Sequence, residues 1–497
     1  MSRAGSLFLA FIIMFSVLLF GSVEPWAFGL TGIAVTVYFY FGIMVRDARF
    51  RGDAEDRHRG PVQLERRAVR RPARKEERRA GCGKLQPWRL PSGVSWRQAM
   101  SASAAGFAAI ALFAMVPLPA PATAFFSGKG YRLMEALSPG KPAWLCLSMD
   151  SHDTMEALLR LAVYAMVFLI AESAGKDRRA LRRAFSALCF FGFGLVVFAV
   201  IQRSTWDGRL YWLRQIRSGN PFGPFVNRDH FAGFIGMLVP PGLALAIEAG
   251  RPGKKALYAL LTAGMAAGLF YSLSRGGVVS FFASILFFLF LAIAGKTSTG
   301  ARTKKSGGAP GGRASRYMGF FAGRAARYMF FFAAALLFYV LYGGVLPLLA
   351  RFEKGGLGFG TRLKVWEAAL RAARDFRWFG TGLGTFREIF PLYNPGLQKT
   401  FDFAHNDYVN LLVETGLAGS LFALAFFASF ARGVYNYYGR RRPSCFTAGL
   451  LASVAYMLVH SFLDFNLHIP SNAITFSAIA GFATARIHAG GRPGADF

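Results

Sequence analysis

The stretch ALYALLTAGMAAGLFYSLSRGGVVSFFASILFFLFLAIA, residues 256–294, decides how the rest of the chain is read. Two long apolar runs, 256–273 and 277–294, meet at SLSRGG (Ser272–Gly277) with almost no loop between them. A bilayer core of ~30 Å takes ~20 apolar residues per helix. Lipid offers no partner to an unpaired backbone group, so each run predicts a membrane helix. Working outward, similar runs recur at 6–22, 26–45, 99–118, 157–174, 184–202, 229–248, 328–348, 415–432, 446–463 and 471–488. Together they predict an all-α polytopic membrane protein of about twelve spans, 1–497 forming a single integral membrane domain. The runs are too long for the ~10-residue strands of a barrel. The first two runs follow each other without a small-residue cleavage site, so they predict a retained helical pair.

Composition agrees. The 497 residues are 54% hydrophobic and include 52 phenylalanines, with a mean hydropathy of +0.35, more apolar surface than a soluble core hides. So apolar a chain does not stay disordered. Four cysteines in this length exclude a disulfide scaffold, and Cys82, Cys146, Cys189 and Cys445 fall in different compartments or in the bilayer.

The net charge of +32 sits in the loops. With a cytoplasmic N-terminus, the cytoplasmic segments and both termini hold roughly two thirds of the 58 Lys and Arg, as the positive-inside rule asks. Segment 46–98, with Arg66, Arg67, Arg70, Arg71, Arg74, Lys75, Arg78 and Arg79, reads as a solvated, largely disordered cytoplasmic loop beside anionic membrane lipids. No nucleic-acid partner is expected for it. Segment 296–316, glycine-rich among lysines and arginines, reads as a flexible cytoplasmic linker.

The remaining basic residues fall on the outer side, against the topology rule. Five arginines lie at 203–228 (Arg203, Arg209, Arg214, Arg217, Arg228), Arg275 sits between two spans, and others crowd 349–404. A polyanionic ligand handled outside, phosphate above all, accounts for them.

Four outer segments stand out. In NPFGPFVNRDHFAG (Asn220–Gly233), Gly223 and Pro224 predict a turn. Asn227, Arg228, Asp229 and His230 then cluster at a helix start, where an anion is favoured and where ordinary capping also occurs. In SLSRGG, Arg275 is costly at a membrane edge unless paired, solvated or snorkelling. TRLKVWEAALRAARDF (Thr361–Phe376) predicts a surface helix with Leu363, Trp366, Leu370 and Ala373 on its apolar face and a Glu367–Arg371 pair. It belongs to a periplasmic loop, 349–414, of amphipathic helices. Arg362 is expected in its first turn, where a cation is favoured only if an anion joins it. In FAHNDYVNLLVETGLAG (Phe403–Gly419), Asp402 or Asn406 is the expected cap of a helix that stops near Gly416. His405 stands at its start, where the dipole favours a neutral imidazole able to accept a proton.

Other patterns are missing: no Walker loop, no HExxH, no paired-cysteine metal site, and no DxD-like pair on the outer face. GTGLG (Gly380–Gly384) is too closely spaced for a dinucleotide fingerprint and predicts a tight turn. No metal and no cofactor are expected.

The combination of FVNRDHFAG, SLSRGG, TRLKVWEAAL, GTGLGTF and AHNDYVNLLVETGLAG resembles the O-antigen ligase and polymerase family of bacterial envelope enzymes. VEPWA (Val23–Ala27), PLP (Pro117–Pro119), the Trp144, Ser148, Thr154 stretch and HSFLDFNLHIPSNA (His460–Ala473) add to the likeness. The resemblance implies a GT-C-like, metal-independent, inverting glycosyltransferase. It implies a bacterial inner-membrane location, cytoplasmic termini and a periplasmic active site. The implied donor is a glycan on undecaprenyl diphosphate. The acceptor is the lipid A-core for a ligase, a second lipid-linked repeat for a polymerase, or a protein hydroxyl in other relatives; the likeness leans to the ligase. Residue by residue it implies catalytic roles for His405, Arg275 and Arg362. Asn227, Arg228, His230, Asn406 and Asp407 are the expected substrate-binding residues. His405 is either the base or a diphosphate ligand. The rival from another class is a transporter of the same lipid-linked glycan.

Overall fold

The computed structural model describes residues 2–59, 94–138, 140, 142–216, 219–297, 356–440 and 444–489. The expected span 328–348, nearly all of linker 296–316 and most of segment 46–98 lie outside the described residues. Along the chain run α1 (Ser2–Leu18), α2 (Pro25–Arg59), α3 (Trp96–Phe113), α4 (Ala120–Phe126), α5 (Gly128–Leu137), α6 (Ser151–Ala174), α7 (Arg178–Ser204) and α8 (Arg228–Glu248). Then follow α9 (Pro252–Tyr271), α10 (Arg275–Thr297), α11 (Gly356–Asp375), α12 (Phe386–Ile389), α13 (Asp407–Arg440), α14 (Cys445–His460) and α15 (Pro470–Ala489). Each expected span other than 328–348 falls on one of these helices. α2 continues to Arg59, into the basic segment.

Among the described residues, five helices are long and apolar enough to cross a membrane: α6, α7, α8, α10 over Arg275–Ala292 and α13 over Asp407–Gly439. The chain therefore has the mostly helical, multi-span character of a polytopic membrane protein. Side chains start the helices where the sequence supplies them. Asp150 caps α6, Asp177 caps α7, Asn227 caps α8, and Ser95 with Gln98 forms a capping box on α3.

α8 is the central helix, buried along nearly its whole length and packed against α9 and α14. Its glycines let neighbours approach, as small residues do between membrane helices. A Cβ on Gly236 would lie 2.0 Å from the Tyr456 ring. The Tyr456 hydroxyl donates to the Ala232 carbonyl at 2.8 Å. Pro240 and Pro241 interrupt α8 internally. Pro241 has no N–H for the Met237 carbonyl one turn back. Ser453 of α14 repairs that gap, its hydroxyl donating to Met237 O at 2.6 Å.

A second, smaller core forms outside the bundle. Val365, Ala368, Ala369, Ala372 and Ala373 of α11, with Phe376 just after it, pack with Phe386, Ile389, Phe390, Ala404 and Val413. This corrects the expected face of α11. Leu363 and Leu370 are exposed, and the alanine side is buried because it lets α11 lie close to α13. The Glu367–Arg371 pair forms at 3.2 Å. GTGLG is a tight turn with positive φ at Gly380, Gly382 and Gly384. A Cβ on Gly382 would lie 2.3 Å from the Ser148 hydroxyl, so the turn seats directly on the stretch before α6.

Two substitutions test this packing. Gly236→Leu should prevent folding, because the Tyr456 ring occupies the space. Ser453→Ala should fold but lose about 1–3 kcal/mol, the cost of leaving a buried carbonyl without a donor. Thermal denaturation of the purified protein in detergent measures both.

Candidate active site

The turn entering α13 is held from several sides. The Ala404 N–H donates to Asn410 Oδ1 at 3.0 Å, and its carbonyl accepts from Trp366 Nε1 at 2.9 Å. Asn406 caps α13, its Oδ1 accepting from Tyr408 N and Val409 N at 3.0 and 3.2 Å. The Asp407 N–H donates to the Ser461 carbonyl at 2.8 Å. Between these anchors His405 has φ +52°, a left-handed conformation costing a non-glycine residue about 1–3 kcal/mol. The fixed neighbours offset that cost and aim the imidazole at the segment joining α14 to α15.

That segment, residues 461–469, carries Asp464, which is 1% exposed. His405 Nδ1 lies 3.2 Å from Asp464 Oδ1. With Nδ1–H donated to the carboxylate, a neutral imidazole carries its lone pair on Nε2. The second Asp464 oxygen faces His230 Nε2 at 3.6 Å and accepts from Asn466 Nδ2 at 3.4 Å. Burial by itself raises the Asp464 carboxyl. The His405 hydrogen bond, with the charges of His230, Arg362 and His405, outweighs burial and holds the group below the usual carboxylate range. The Phe465 ring screens the pair from the side, 4.9 Å from the His405 ring, 4.8 Å from His230 and stacked on Phe403 at 4.6 Å.

A second histidine–carboxylate pair secures the same segment. His468 Nδ1 lies 2.8 Å from Asp407 Oδ1, and Leu467 N donates to Asp407 Oδ2 at 3.3 Å. Burial alone lowers the His468 pKa, but the Asp407 hydrogen bond and the Asp407 and Glu414 charges raise it above its ordinary value.

Arg362 meets this cluster in a way the sequence did not predict. α11 begins at Gly356, so Arg362 lies in its second turn rather than at its free N–H groups. Its guanidinium instead donates to the Leu463 carbonyl and lies 3.7 Å from Asp229 Oδ2. Arg275 is the first residue of α10. The next residue, Gly276, packs so closely that a Cβ there would be 3.0 Å from the His460 ring and 3.1 Å from Leu463. His405, Arg362 and the α10 start at Gly276 thus meet residues 460–464 from three elements distant in sequence.

The other expected residues have internal duties. Asn227 accepts from Asp229 N at 3.0 Å as the cap of α8, and Arg228 is the first residue of α8. His230 is buried behind Asp464, and Asn406 and Asp407 are buried by the contacts above. The residues missed as site members are Asp464, Asn466 and His468. Their signal was HSFLDFNLHIPSNA itself, where His460, Asp464 and His468 recur every fourth residue at a span end. Among the described residues, Asp150, His152 and Asp153 bring possible metal-ligand atoms within 4.8 Å of one another. Their acids are already engaged: Asp150 caps α6, and Asp153 pairs with Arg387 at 3.3 Å.

Fold and cluster together define a polytopic helical membrane protein with a partly buried histidine beside a buried aspartate, met by Arg362 from a separate helix. Residues 260–424 are similar to the family model described as O-Antigen ligase. The matched stretch contains Arg275, Arg362 and His405, while Asp464 and His230 lie beyond it. No match was found among curated proteins.

The two pairs have opposite pH dependence. His468 has a raised folded pKa, so its stabilisation is complete below the ordinary histidine value of 6.5 and is lost as pH rises through the raised value. Asp464 has a lowered one, so its contribution is present above the ordinary 3.8 and is lost as pH falls through the lowered value. Thermal stability should therefore decline as pH rises above 6.5. His468→Gln should remove that decline, as melting curves across the pH range will show.

Proposed function

We propose that this protein is a membrane glycosyltransferase of about twelve spans and GT-C-like form. It moves a glycan from undecaprenyl diphosphate to an acceptor hydroxyl at the periplasmic face of the bacterial inner membrane. The observation carrying this reading is the His405–Asp464 pair, held beside Arg362 within reach of the α10 start. The acceptor is the lipid A-core, which makes the enzyme an O-antigen ligase.

The chemistry follows from the groups present. His405 Nε2 takes the proton of the acceptor hydroxyl as its oxygen attacks the anomeric carbon. Asp464 keeps the imidazole in the right tautomer and stabilises the imidazolium that forms. The glycosidic bond to the diphosphate breaks, and the bonding pair leaves with undecaprenyl diphosphate. Arg275 and Arg362 stabilise the negative charge growing on that leaving group. They do so as fixed cations, without a metal. A single displacement from the opposite face inverts the anomeric carbon. Asn227, Arg228, His230, Asn406 and Asp407 shape the substrate-binding surroundings, with His230, Asn406 and Asp407 acting from within the wall.

His405→Ala and Arg275→Ala should each abolish glycan transfer while leaving membrane insertion intact. Arg362→Ala should lower the rate at least about a hundredfold, the cost of removing one transition-state donor. Asp464→Asn should reduce turnover more than substrate affinity. Purified enzyme with a lipid-linked donor reads these effects, and full activity of the His405 and Arg275 variants would overturn the assignment. Supplying that donor with lipid A-core, a second lipid-linked repeat, or a protein, each separately, decides the acceptor. Growth of the lipid A-core product is expected. Product on a second repeat or on protein would make the enzyme a polymerase or a protein O-oligosaccharyltransferase.

A further inference from the structure

α15, which starts beside the His405 site, leads at its far end to a cavity. α15 starts two residues after His468, and Ala485 and His488 near its far end line a cavity of about 490 Å³. From Pro470 to Ala485 the rise is ~22 Å at 1.5 Å per residue. α6 runs the same way. Asp153, bound to Arg387, lies at its start, and Leu169, Ile170, Glu172, Ser173 and Ala174 line the cavity near its end. The N-terminal part of α1, the middle of α2 and the start of α3 complete the wall through Gly5, Tyr38 and Arg97.

The lining is amphiphilic. Arg97 is paired with Glu172 and lies 3.4 Å from His488 Nε2, so three helices contribute to one polar wall. The Arg97 side chain is still 38% exposed. Lys176 adds a second cation; Asp177, which pairs with Arg3 at 3.4 Å, separates it from Arg178 and Arg179. Arg97 is the second residue of α3, so the positive end of that helix dipole adds to the field. Against these stands Glu172, the one acid among the described lining residues. The other wall is apolar: Ile170, Phe39 and Leu169, the last 47% exposed. A soluble anion needs only the first wall. A phosphodiester attached to acyl chains needs both, at the height where a helix leaves the bilayer. The volume lies within the ~300–1,000 Å³ of ligand pockets.

We propose that this cavity binds the phosphate-bearing headgroup of an anionic phospholipid, with Lys176 and Arg97 on the phosphate and Leu169 and Ile170 along the first acyl carbons. The site is separate from the proposed glycan transfer and is tested without it. Native mass spectrometry of the full chain in detergent should show one phosphatidylglycerol retained where phosphatidylcholine is lost. Lys176→Ala, at an exposed position, should weaken retention about fivefold, the worth of one basic residue near an anionic headgroup. Ser173→Trp should block the cavity and remove the lipid without changing charge. Arg132→Ala, on α5, should leave retention unchanged. Equal retention of the two lipids, or wild-type retention by both the Lys176 and Ser173 variants, would overturn the proposal. Displacement of phosphatidylglycerol by millimolar inorganic phosphate would also overturn it, in favour of a soluble anion.

Discussion

The architecture around the candidate site depends on one buried carboxylate. Asp464 has lost its water, a change that costs several kcal/mol for an unpaired ion. Everything near it answers that cost. His405 and Asn466 supply hydrogen bonds, Arg362 supplies positive charge, and His230 Nε2 stands 3.6 Å from the carboxylate. Removing the carboxylate would leave these groups without their common partner. The left-handed turn at His405 persists because the geometry it produces is the one that meets Asp464.

Fixing a charge this firmly needs rigid surroundings, and these come from close packing. α8 passes through the bundle with Gly233 and Gly236 pressed against Asn466, Asn472 and Tyr456. These contacts tie the residue 461–469 segment to the central helix. On the other side, Trp366 and the alanine face of α11 press the His405 turn inward. His468 and Asp407 close the remaining gap between that turn and the segment. Catalysis by positioned charge requires that donors not reorganise when charge develops. His405 and Arg362, held by these contacts, have the fixed surroundings that requirement asks for.

Much of this was legible from the sequence and some was not. The apolar runs located the helices, because lipid imposes a length and composition that few other environments do. The turn at Gly223–Pro224, the cap at Asn406, the break of α13 at Gly416 and the GTGLG turn were all visible as local chemistry. The start of α11 was not: the helix read from Thr361 already runs from Gly356, which moved Arg362 away from the helix end. The buried face of α11 was misjudged because alanine looks neutral beside leucine. Leu363 and Leu370 face outward, and the alanines are inside where α13 comes close.

The sequence by itself determined that this is a multi-span helical membrane protein with surplus arginine on one side. It did so because hydropathy and charge are properties of short segments, and the membrane reads them segment by segment. It also marked His405, Arg275 and Arg362. Only the tertiary structure decided that His405 is held by Asp464 and that His230 stands behind that carboxylate. It likewise decided that Arg362 bridges to Leu463 and Asp229. Those relations join residues up to 234 positions apart (His230 to Asp464), and no local pattern encodes a distance across the bundle. They arise when glycine-lined helices pack closely enough for one buried charge to gather its partners.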